Sequence, residues 1–547
     1  MRSRLISLYL VAALVGVSGC RQEPESSPEQ SSLAVSKEGV SPENSVNKPV
    51  SGAPSVAAEP ATATKEPASE NPQPSELPTS SPRPESATPT LATTKQEGAK
   101  VATYGVYLNG SKMGWMELSL EENDKEVIYK TNLEATIRGM GSVSDIKMTE
   151  ARIYNTQNEQ LQSLEFEQKA ATGSVRVIGK RVKDGLSWTT KAGGAEQNTV
   201  ITSSDSLSSI MTLRDSLRKA KVGDSWKLNI LDASMARDLE VIHTLTKIET
   251  RQFAGVESRV FHIRSSYVNA GVEETSLFDE QGELLESTVG QFFKALREPP
   301  EIAKRKEFQQ DLLVSSTVKT PDVIENQTTK RQISFIIDGF GDRLPPESAR
   351  QKVQAEPNGR VKLTLTRDPD LPTHSWPLDK KYTSGAPKEF LESTPYLQSD
   401  SAEIIEISKR VVAPARDVAG AVQRLNEFVY RHVRDAYVPA FSNALEALKT
   451  GKGDCTEHSA LFVAMARAVG IPARVVVGVG YWRPGDGLGW HAWAEVFIDG
   501  RWYATDPTWG QTIADATHLQ LAGGDLMEQA QIIMLLGKLR IESMSTL

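Results

Sequence analysis

Cysteine is almost absent from this chain, whose 547 residues include two, Cys20 and Cys455. So few cysteines provide no disulfide framework, and the role of each thiol depends on where it stands. Acidic residues outnumber basic ones, 70 to 62, so the formal net charge is −8 and the pI is near 5.7. This acidic balance argues against nucleic acid as a partner. After the first 20 residues, the sequence has no apolar run long enough to cross a membrane.

The first 20 residues have the pattern of an export signal. Arg2 and Arg4 precede an apolar run from Leu5 to Val17, which is too short to span a bilayer comfortably. The ending Val-Ser-Gly-Cys resembles a bacterial lipobox, and that resemblance implies cleavage before Cys20 and a lipid on its thiol. We therefore expect an exported protein anchored to a bacterial membrane, on its periplasmic or outer face. An ordinary signal without lipidation is the alternative.

Aromatic residues are missing from the segment that follows, which is rich in Ser, Pro, Glu, Thr and Ala. Such a composition cannot form a core, so we expect 21–99 to be a disordered tether with a typical reach of ~50 Å. Strand-like runs then flank Asn109-Gly110 and Asp184-Gly185, which are typical hairpin turns. The prediction is a multidomain chain with an antiparallel β domain at 100–300, a β-rich connecting segment at 301–395 and an α+β domain at 396–547.

Cys455 stands at the start of a predicted helix. Asp454 fits the N-cap position and Glu457 the third helical position, which together make a capping box. Gly470 and Pro472 end the helix. Cys455 is then the first helical residue, where backbone N–H groups and the positive end of the helix dipole stabilise a thiolate. The same N–H groups suit the oxyanion of a tetrahedral intermediate. With Cys20 in the anchor, Cys455 has no disulfide partner within the chain.

Asp499-Gly500 predicts a two-residue hairpin turn between two strands. The predicted opposed pairs are Phe497–Trp502, Glu495–Ala504 and Trp493–Asp506. Opposed and alternate residues share a face of the sheet, so His491 and Asp506 become diagonal neighbours with Cβ atoms ~7 Å apart. An aspartate that holds one imidazole nitrogen leaves the other to accept a proton from Cys455. The sequence therefore predicts a nucleophile, a base and an orienting carboxylate.

Three stretches carry a family resemblance: "GDCTEHSALFVAMARAVGIPARVVVGV", "HAWAEVFIDGRWYATDPTWG" and, more loosely, "ALEALKTGKG". Residues 400–520 resemble the transglutaminase-like core, a papain-related fold. The resemblance implies that Cys455 is the nucleophile, His491 the general base and acid, and Asp506 the residue that orients the imidazole. It also implies that Tyr437 helps to hold the oxyanion.

The implied reaction passes through a thioester acyl-enzyme. It is either hydrolysis of an amide by a protease or amidase, or acyl transfer by a transglutaminase. The substrate implied by the resemblance is a peptide or protein, and no cofactor or metal is expected. The expected fold is an N-terminal antiparallel β domain plus a C-terminal α+β transglutaminase-like core.

Three alternatives stay open. His458 is three residues after Cys455 on the same helix, so these two residues, with His491 and Asp506, have the ligand types of a tetrahedral metal site. Otherwise His458 is a supporting or helix-surface residue. The domain is alternatively a catalytically silent binding scaffold. Trp490 and Trp493 line either a substrate cleft or a small β-sheet core.

Overall fold

The computed structural model describes residues 95–547 apart from short gaps at 97–98, 140–141, 171–172, 193–194, 209–215, Met235, 254–255, Asn269, 291–292, 306–316, 437–442 and 525–530. The signal and its Cys20, the predicted tether up to residue 94, and Tyr437 lie outside the described residues. Across the described ranges, no helix has both the length and the apolar sequence that a bilayer crossing requires.

The first half of the described chain forms one antiparallel sheet. Its strands are β1 (Lys95–Gln96), β2 (Ala99–Leu108), β3 (Ser111–Glu122), β4 (Glu126–Gly139), β5 (Ser142–Asn155), β6 (Leu161–Ala170), β7 (Gly173–Val182), β8 (Gly185–Ala192), β9 (Ala195–Ile201), β10 (Ser225–Asp232), β11 (Arg237–Phe253), β12 (Val256–Tyr267), β13 (Val272–Phe278), β14 (Leu284–Val289) and β15 (Phe293–Arg297). Strands from β2 to β9 and from β10 to β15 pair in chain order, and β15 joins the two runs by pairing with β2.

The alternation of buried and exposed side chains along these strands explains why they form a sheet with one face on a core. In β7 and β8, for example, buried and more exposed side chains alternate, as expected for a sheet with one face on a core. The hairpin predicted at Asn109-Gly110 joins β2 to β3. The one predicted at Asp184-Gly185 joins β7 to β8 but is shifted by one residue, because Lys183 and Asp184 form the turn and Gly185 already pairs in β8. Both Asn109 and Gly110 have positive φ, the backbone conformation that a two-residue hairpin turn requires.

The second half combines helices with shorter strands. A one-turn helix α1 (Pro300–Ala303) ends the large sheet. The following elements are β16 (Val318–Lys319), β17 (Gln332–Asp338), β18 (Gln351–Ala355), β19 (Val361–Thr366), α2 (Ala402–Val412), α3 (Val418–His432), β20 (Arg434–Asp435), α4 (Ala444–Thr450), β21 (Lys452–Gly453), α5 (Cys455–Ala468), β22 (Ala473–Trp482), β23 (Gly487–Ile498), β24 (Arg501–Thr505), β25 (Leu519–Gly523) and β26 (Arg540–Thr546). The predicted fold class, an antiparallel β domain followed by an α+β domain, is confirmed.

Two sheets organise this α+β half. The sheet that carries the candidate site has the order β16-β23-β22-β25, with β24 also paired to β23. The other has the order β18-β19-β17-β26, so strands from the 301–395 segment pair with the last strand of the chain. One hydrophobic cluster includes residues of both sheets and of helices α2 to α5. The segment at 301–395 therefore shares its core with the residues that follow it.

Helix α5 lies at the centre of this core. The capping box is present, because Asp454 accepts from first-turn amides while Glu457 accepts from the Asp454 amide. Every residue from Glu457 to Arg467 is buried. Burial on all sides is typical of a helix in a core position, with neighbours on every face. The small residues Ala460, Ala464 and Ala466 allow those neighbours to approach closely.

Close approach of β22 and β25 gives the first prediction. A Cβ added at Gly478 would lie 2.0 Å from the carbonyl oxygen of Leu519 and 3.0 Å from the ring of Trp493. We therefore expect Gly478→Ala to lower the free energy of unfolding by about 1–3 kcal/mol, since backbone must move to relieve the overlap. Thermal unfolding measures this loss, with Gly420→Ala as the control because its nearest neighbour is 3.3 Å away. Equal melting temperatures for Gly478→Ala and the wild type would contradict the packing.

Candidate active site

Three different elements bring the predicted triad residues together. Cys455 is the first residue of α5, His491 lies in the middle of β23, and Asp506 directly follows β24. The β23–β24 register confirms the predicted Phe497–Trp502 and Glu495–Ala504 pairs. The predicted Trp493–Asp506 pair is wrong, because regular pairing ends at Ala494–Thr505 and the backbone of Asp506 pairs with that of Gln511.

His491 and Asp506 are in direct contact. Nε2 of His491 is 2.8 Å from Oδ2 of Asp506, and both side chains are fully buried. Oδ1 of Asp506 accepts the backbone N–H groups of Thr508 at 2.8 Å and Trp509 at 3.0 Å, which fixes the carboxylate. Because a carboxylate only accepts, Nε2 carries the proton. Nδ1 has no hydrogen-bond partner among the described residues, the sulfur of Cys455 included.

The thiol of Cys455 lies against the backbone of β23, next to His491 in the sequence of that strand. Its Sγ accepts the backbone N–H of Ala492 at 3.3 Å, and Ala492 is the residue after His491. The whole Cys455 side chain is buried, as are His491 and Asp506. Cys455 therefore contacts the strand that carries His491, His491 contacts Asp506, and all three residues lie in the interior.

The capping box uses backbone N–H groups that were predicted from the sequence to bind the oxyanion of a tetrahedral intermediate. Oδ1 of Asp454 accepts the N–H of Thr456 at 2.8 Å, and the N–H of Glu457 also donates to the Asp454 side chain. These two amides are already used and do not point at a substrate. Tyr437, the other predicted oxyanion helper, lies outside the described residues.

Buried carboxyl groups surround the start of α5. Burial raises the pKa of Glu457 to about 7, and burial also raises the pKa of Asp454, which shares a contact with Glu457. Burial likewise raises the pKa of Glu446, at the start of α4, to about 7. Glu457 and Glu446 therefore hold part of their protons near neutral pH, which reduces the negative charge around the start of α5.

Trp509 was not predicted and covers the imidazole. Its ring stacks on His491 with centroids 4.1 Å apart and an interplanar angle of 9°. Gly480 makes room for it, because a Cβ there would lie 2.6 Å from the Trp509 ring. Stacking of this kind fixes the plane of the imidazole that Asp506 holds at one edge. The glycine at every second position of "VGVGYW" is the sequence signal for this close packing.

Trp490 and Trp493 are both buried. Trp490 belongs to the hydrophobic core cluster that contains Cys455. Trp493 packs near His491, with centroids 6.2 Å apart, and meets the edge of His518 at 5.1 Å. These positions agree with packing around the imidazoles, and a role in a substrate cleft stays a prediction.

His518 also joins the site, although it was not predicted from the sequence. Its Nε2 lies 3.0 Å from Oδ2 of Asp506 and its Nδ1 lies 3.2 Å from Oδ1 of Asp515. Burial alone would lower its pKa, but the charges and hydrogen bonds of Asp515 and Asp506 raise it to about 9. In turn, burial acts to raise the pKa of Asp506, but His491 and His518 hold it well below its ordinary value.

His458 does not face the triad. Its Nδ1 lies 2.7 Å from the carbonyl oxygen of Asp454, and its Nε2 lies 3.1 Å from that of Val433. The residue is buried, so the helix-surface interpretation is wrong, and it ties α5 to the end of α3. Burial lowers its pKa, and the hydrogen bonds to the two carbonyls act in the opposite direction. Because both nitrogens face backbone oxygens, His458 is not placed as a metal ligand.

His491, Asp506 and His518 are close enough to consider as cation ligands, since their ligand atoms lie within 4.8 Å of one another. Both Nε2 atoms instead lie at hydrogen-bond distance from the same Asp506 oxygen, at 2.8 and 3.0 Å. His518 has a carboxylate oxygen at each nitrogen and therefore carries both protons, which leaves no lone pair for a metal. The three residues form a hydrogen-bonded chain.

A known protein family matches the region of the chain that contains this site. The model of the transglutaminase-like superfamily matches residues 405–507, which include α3, α5, β22, β23 and all three predicted triad residues. Kyphoscoliosis peptidase from Mus musculus is 23% identical over 237 residues, covering 38% of this chain and 35% of that protein. The Homo sapiens protein of the same name is 23% identical over 236 residues, covering 38% and 34%. The chain thus spans about a third of the length of these curated relatives.

Two solved structures are similar in part. A candidate cysteine protease from Cytophaga hutchinsonii has 17% identity and a TM-score of 0.27, covering 40% of this chain and 86% of that one. A β-barrel-like protein with a domain of unknown function, from Brucella abortus, has 11% identity and a TM-score of 0.29, covering 36% and 94%. Both TM-scores are too low to support an argument about fold or activity.

Proposed function

Because residues 405–507 are a transglutaminase-like domain, we propose that the protein is a thiol enzyme that acts on amide bonds of peptides or proteins. The observation that carries this proposal is the hydrogen-bond pattern of His491. Asp506 holds Nε2 at 2.8 Å, while Nδ1 has no partner among the described residues. An imidazole in this tautomer is ready to accept a proton through Nδ1.

In the proposed reaction, Nδ1 of His491 takes the proton of the Cys455 thiol. The thiolate attacks the amide carbonyl carbon and forms a tetrahedral intermediate. The imidazolium then gives its proton to the departing nitrogen, so ammonia or an amine leaves and a thioester remains. Water completes a hydrolysis and an amine completes an acyl transfer. Asp506 keeps the ring in place and stabilises the imidazolium between these two proton transfers.

The place of action is also a proposal. The signal pattern that ends at Cys20 supports an anchor on a bacterial membrane, and the segment rich in Ser, Pro and Glu supports a tether between anchor and enzyme. Substrates would then be peptides or proteins of the cell envelope.

One observation favours a second candidate, the catalytically silent scaffold. Cys455, His491 and Asp506 are all buried, so a substrate reaches the thiol only after some part of the surrounding structure moves. A scaffold would keep this closed arrangement permanently, whereas an enzyme opens it during turnover.

Incubation with envelope proteins tests the proposed function. The full-length protein is mixed with these proteins, with and without a labelled primary amine, and the products are identified by mass spectrometry. New chain ends indicate a protease, deamidated side chains an amidase, and amine adducts a transglutaminase. A Cys455→Ser protein serves as the control, and identical products from both proteins would refute the proposal.

A further inference from the structure

The cluster behind the imidazole extends beyond a three-residue triad. Oδ2 of Asp506 receives both Nε2 of His491 at 2.8 Å and Nε2 of His518 at 3.0 Å. On its far side, Nδ1 of His518 meets Oδ1 of Asp515 at 3.2 Å. His518 is fully buried between the two carboxylates. Since carboxylates accept and do not donate, both imidazole nitrogens must carry protons, which makes His518 a cation.

We infer that His518 is a positioning residue that shares the charge of Asp506 and thereby sets the pH range in which Cys455 and His491 react. This inference rests on the proposed function of the same site. The cation competes with His491 for one carboxylate oxygen and so weakens the hold of Asp506 on the His491 proton. It also adds a positive charge to the surroundings of the thiol, which favours the thiolate.

The surroundings of His518 are built to keep this charge. Asp515 is fixed by Thr517, whose N–H and hydroxyl donate to Oδ1 at 2.8 and 2.6 Å, and by Gln511, whose amide donates to Oδ2 at 2.9 Å. The rings of Trp493 and Trp509 make T-shaped contacts with the imidazole at centroid distances of 5.1 and 4.9 Å. A neutral packing residue would not need this set of donors behind its partner carboxylate.

The other charged and titratable groups near His518 determine whether loss of its charge raises or lowers the pH at which Cys455 and His491 ionise. The ring of His491 is 5.7 Å away between centroids. Behind Asp515, Arg350 donates to its backbone carbonyl at 2.6 Å and is paired with Asp368. With Asp506 and Asp515 both ionised, loss of the His518 cation leaves an uncompensated negative charge beside His491. That charge stabilises the imidazolium and disfavours the thiolate, so both ionisations move to higher pH.

The test compares the pH dependence of Cys455 alkylation by iodoacetamide in the full chain, followed by mass spectrometry of the peptide that contains Cys455. We expect His518→Gln, which retains a donor for Asp506 but loses the charge, to raise the pH midpoint by about one unit. The double variant His518→Gln/Asp515→Asn removes one charge of each sign and returns the midpoint part of the way to the wild type. His374→Gln, a histidine paired with Asp499 at the far end of β23, should leave it unchanged.

A midpoint that is unchanged in folded His518→Gln would overturn the inference, as would a double variant shifted further than the single one. A wild-type thiol that never reacts faster than an unfolded one would instead refute the proposed function.

Thermal unfolding tests the cation independently of any activity. Burial opposes the charge but the two aspartates raise the pKa of His518 to about 9, above its ordinary 6.5. The resulting stabilisation is complete below about pH 6.5 and is lost as the pH rises through 9. We expect the wild-type melting temperature to fall more steeply over this interval than that of His518→Gln. Parallel curves for the two proteins would show that His518 is uncharged and would overturn the inference.

Discussion

Replacement of Cys455 by serine is expected to lower turnover on amide substrates by at least about 10³-fold while the protein stays folded. A serine hydroxyl is a far weaker nucleophile than a thiol in a site arranged for thiolate chemistry, and the remaining groups give only a small residual rate. The fold should persist because serine is slightly smaller than cysteine and its oxygen can accept the Ala492 N–H that now donates to Sγ. Initial rates and thermal unfolding of the two proteins measure both effects.

Ser459 provides a matched control on the same helix. It is buried one turn after Cys455, and its hydroxyl has no hydrogen-bond partner among the described residues. Ser459→Ala should keep activity within about twofold, because nothing in the proposed reaction uses this hydroxyl. An unchanged rate in Cys455→Ser would refute the nucleophile assignment. Equal losses in both variants would trace the effect to the helix and not to the thiol.

The second large effect is expected at His491. His491→Ala removes both the proton acceptor and the proton donor of the proposed reaction, so we expect a loss of about 10³-fold or more in kcat/KM. Asp506→Asn should cost less, about 10²-fold. The imidazole is still present and stacked on Trp509, and the penalty is confined to the tautomer and orientation that Asp506 now fixes.

Asp506→Asn is also expected to lower the free energy of unfolding, in addition to lowering the rate. Among the described residues, the Asp506 carboxylate is contacted by four donors, two backbone N–H groups and two imidazoles. An asparagine amide necessarily turns its own N–H₂ toward some of them. Kinetics should therefore be measured below the melting temperature of each variant. If folded Asp506→Asn lost more activity than folded His491→Ala, the orienting role would be wrong.

Local patterns were sufficient to predict much of the site. The capping box places Cys455 at the first position of α5, because Asp454 and Glu457 satisfy amides within their own turn. The Asp499-Gly500 turn fixes the register of β23 and β24, because a two-residue turn leaves one way to pair the strands. The predicted elements around Cys455 and His491 depend on contacts only a few residues apart in the sequence.

The rest of the site depends on contacts that local patterns do not encode. His518 lies in the turn before β25 and reaches Asp506 only because β25 pairs with β22. Trp509 stacks on His491 through a loop closed by the paired backbones of Asp506 and Gln511. The burial of α5 on all sides depends on the helices and sheets around it. Even so, "DATHL" carries a usable signal, an aspartate and a histidine three residues apart in a turn beside a predicted triad.

The order of the strands in the sheets also depends on contacts between residues that are far apart in the sequence. Adjacent hairpins were predicted from their turns, whereas the pairing of β15 with β2 joins segments nearly 200 residues apart. The pairing of β17 with β26 likewise brings the end of the chain to the 301–395 segment. Such pairings follow from the complete core and have no short sequence signature.

Thiol reactivity is the most direct test of the central claim that His491 and Asp506 activate Cys455. The full-length protein is treated near pH 6 with a cysteine-directed activity probe, and labelling of the Cys455 peptide is compared in the native wild type, native His491→Ala and denatured wild type. The account predicts that native Cys455 is labelled faster than the denatured thiol, which is almost wholly protonated at this pH. It also predicts that labelling falls sharply in His491→Ala. A native thiol that reacts no faster than the denatured one would contradict the account and favour the silent scaffold.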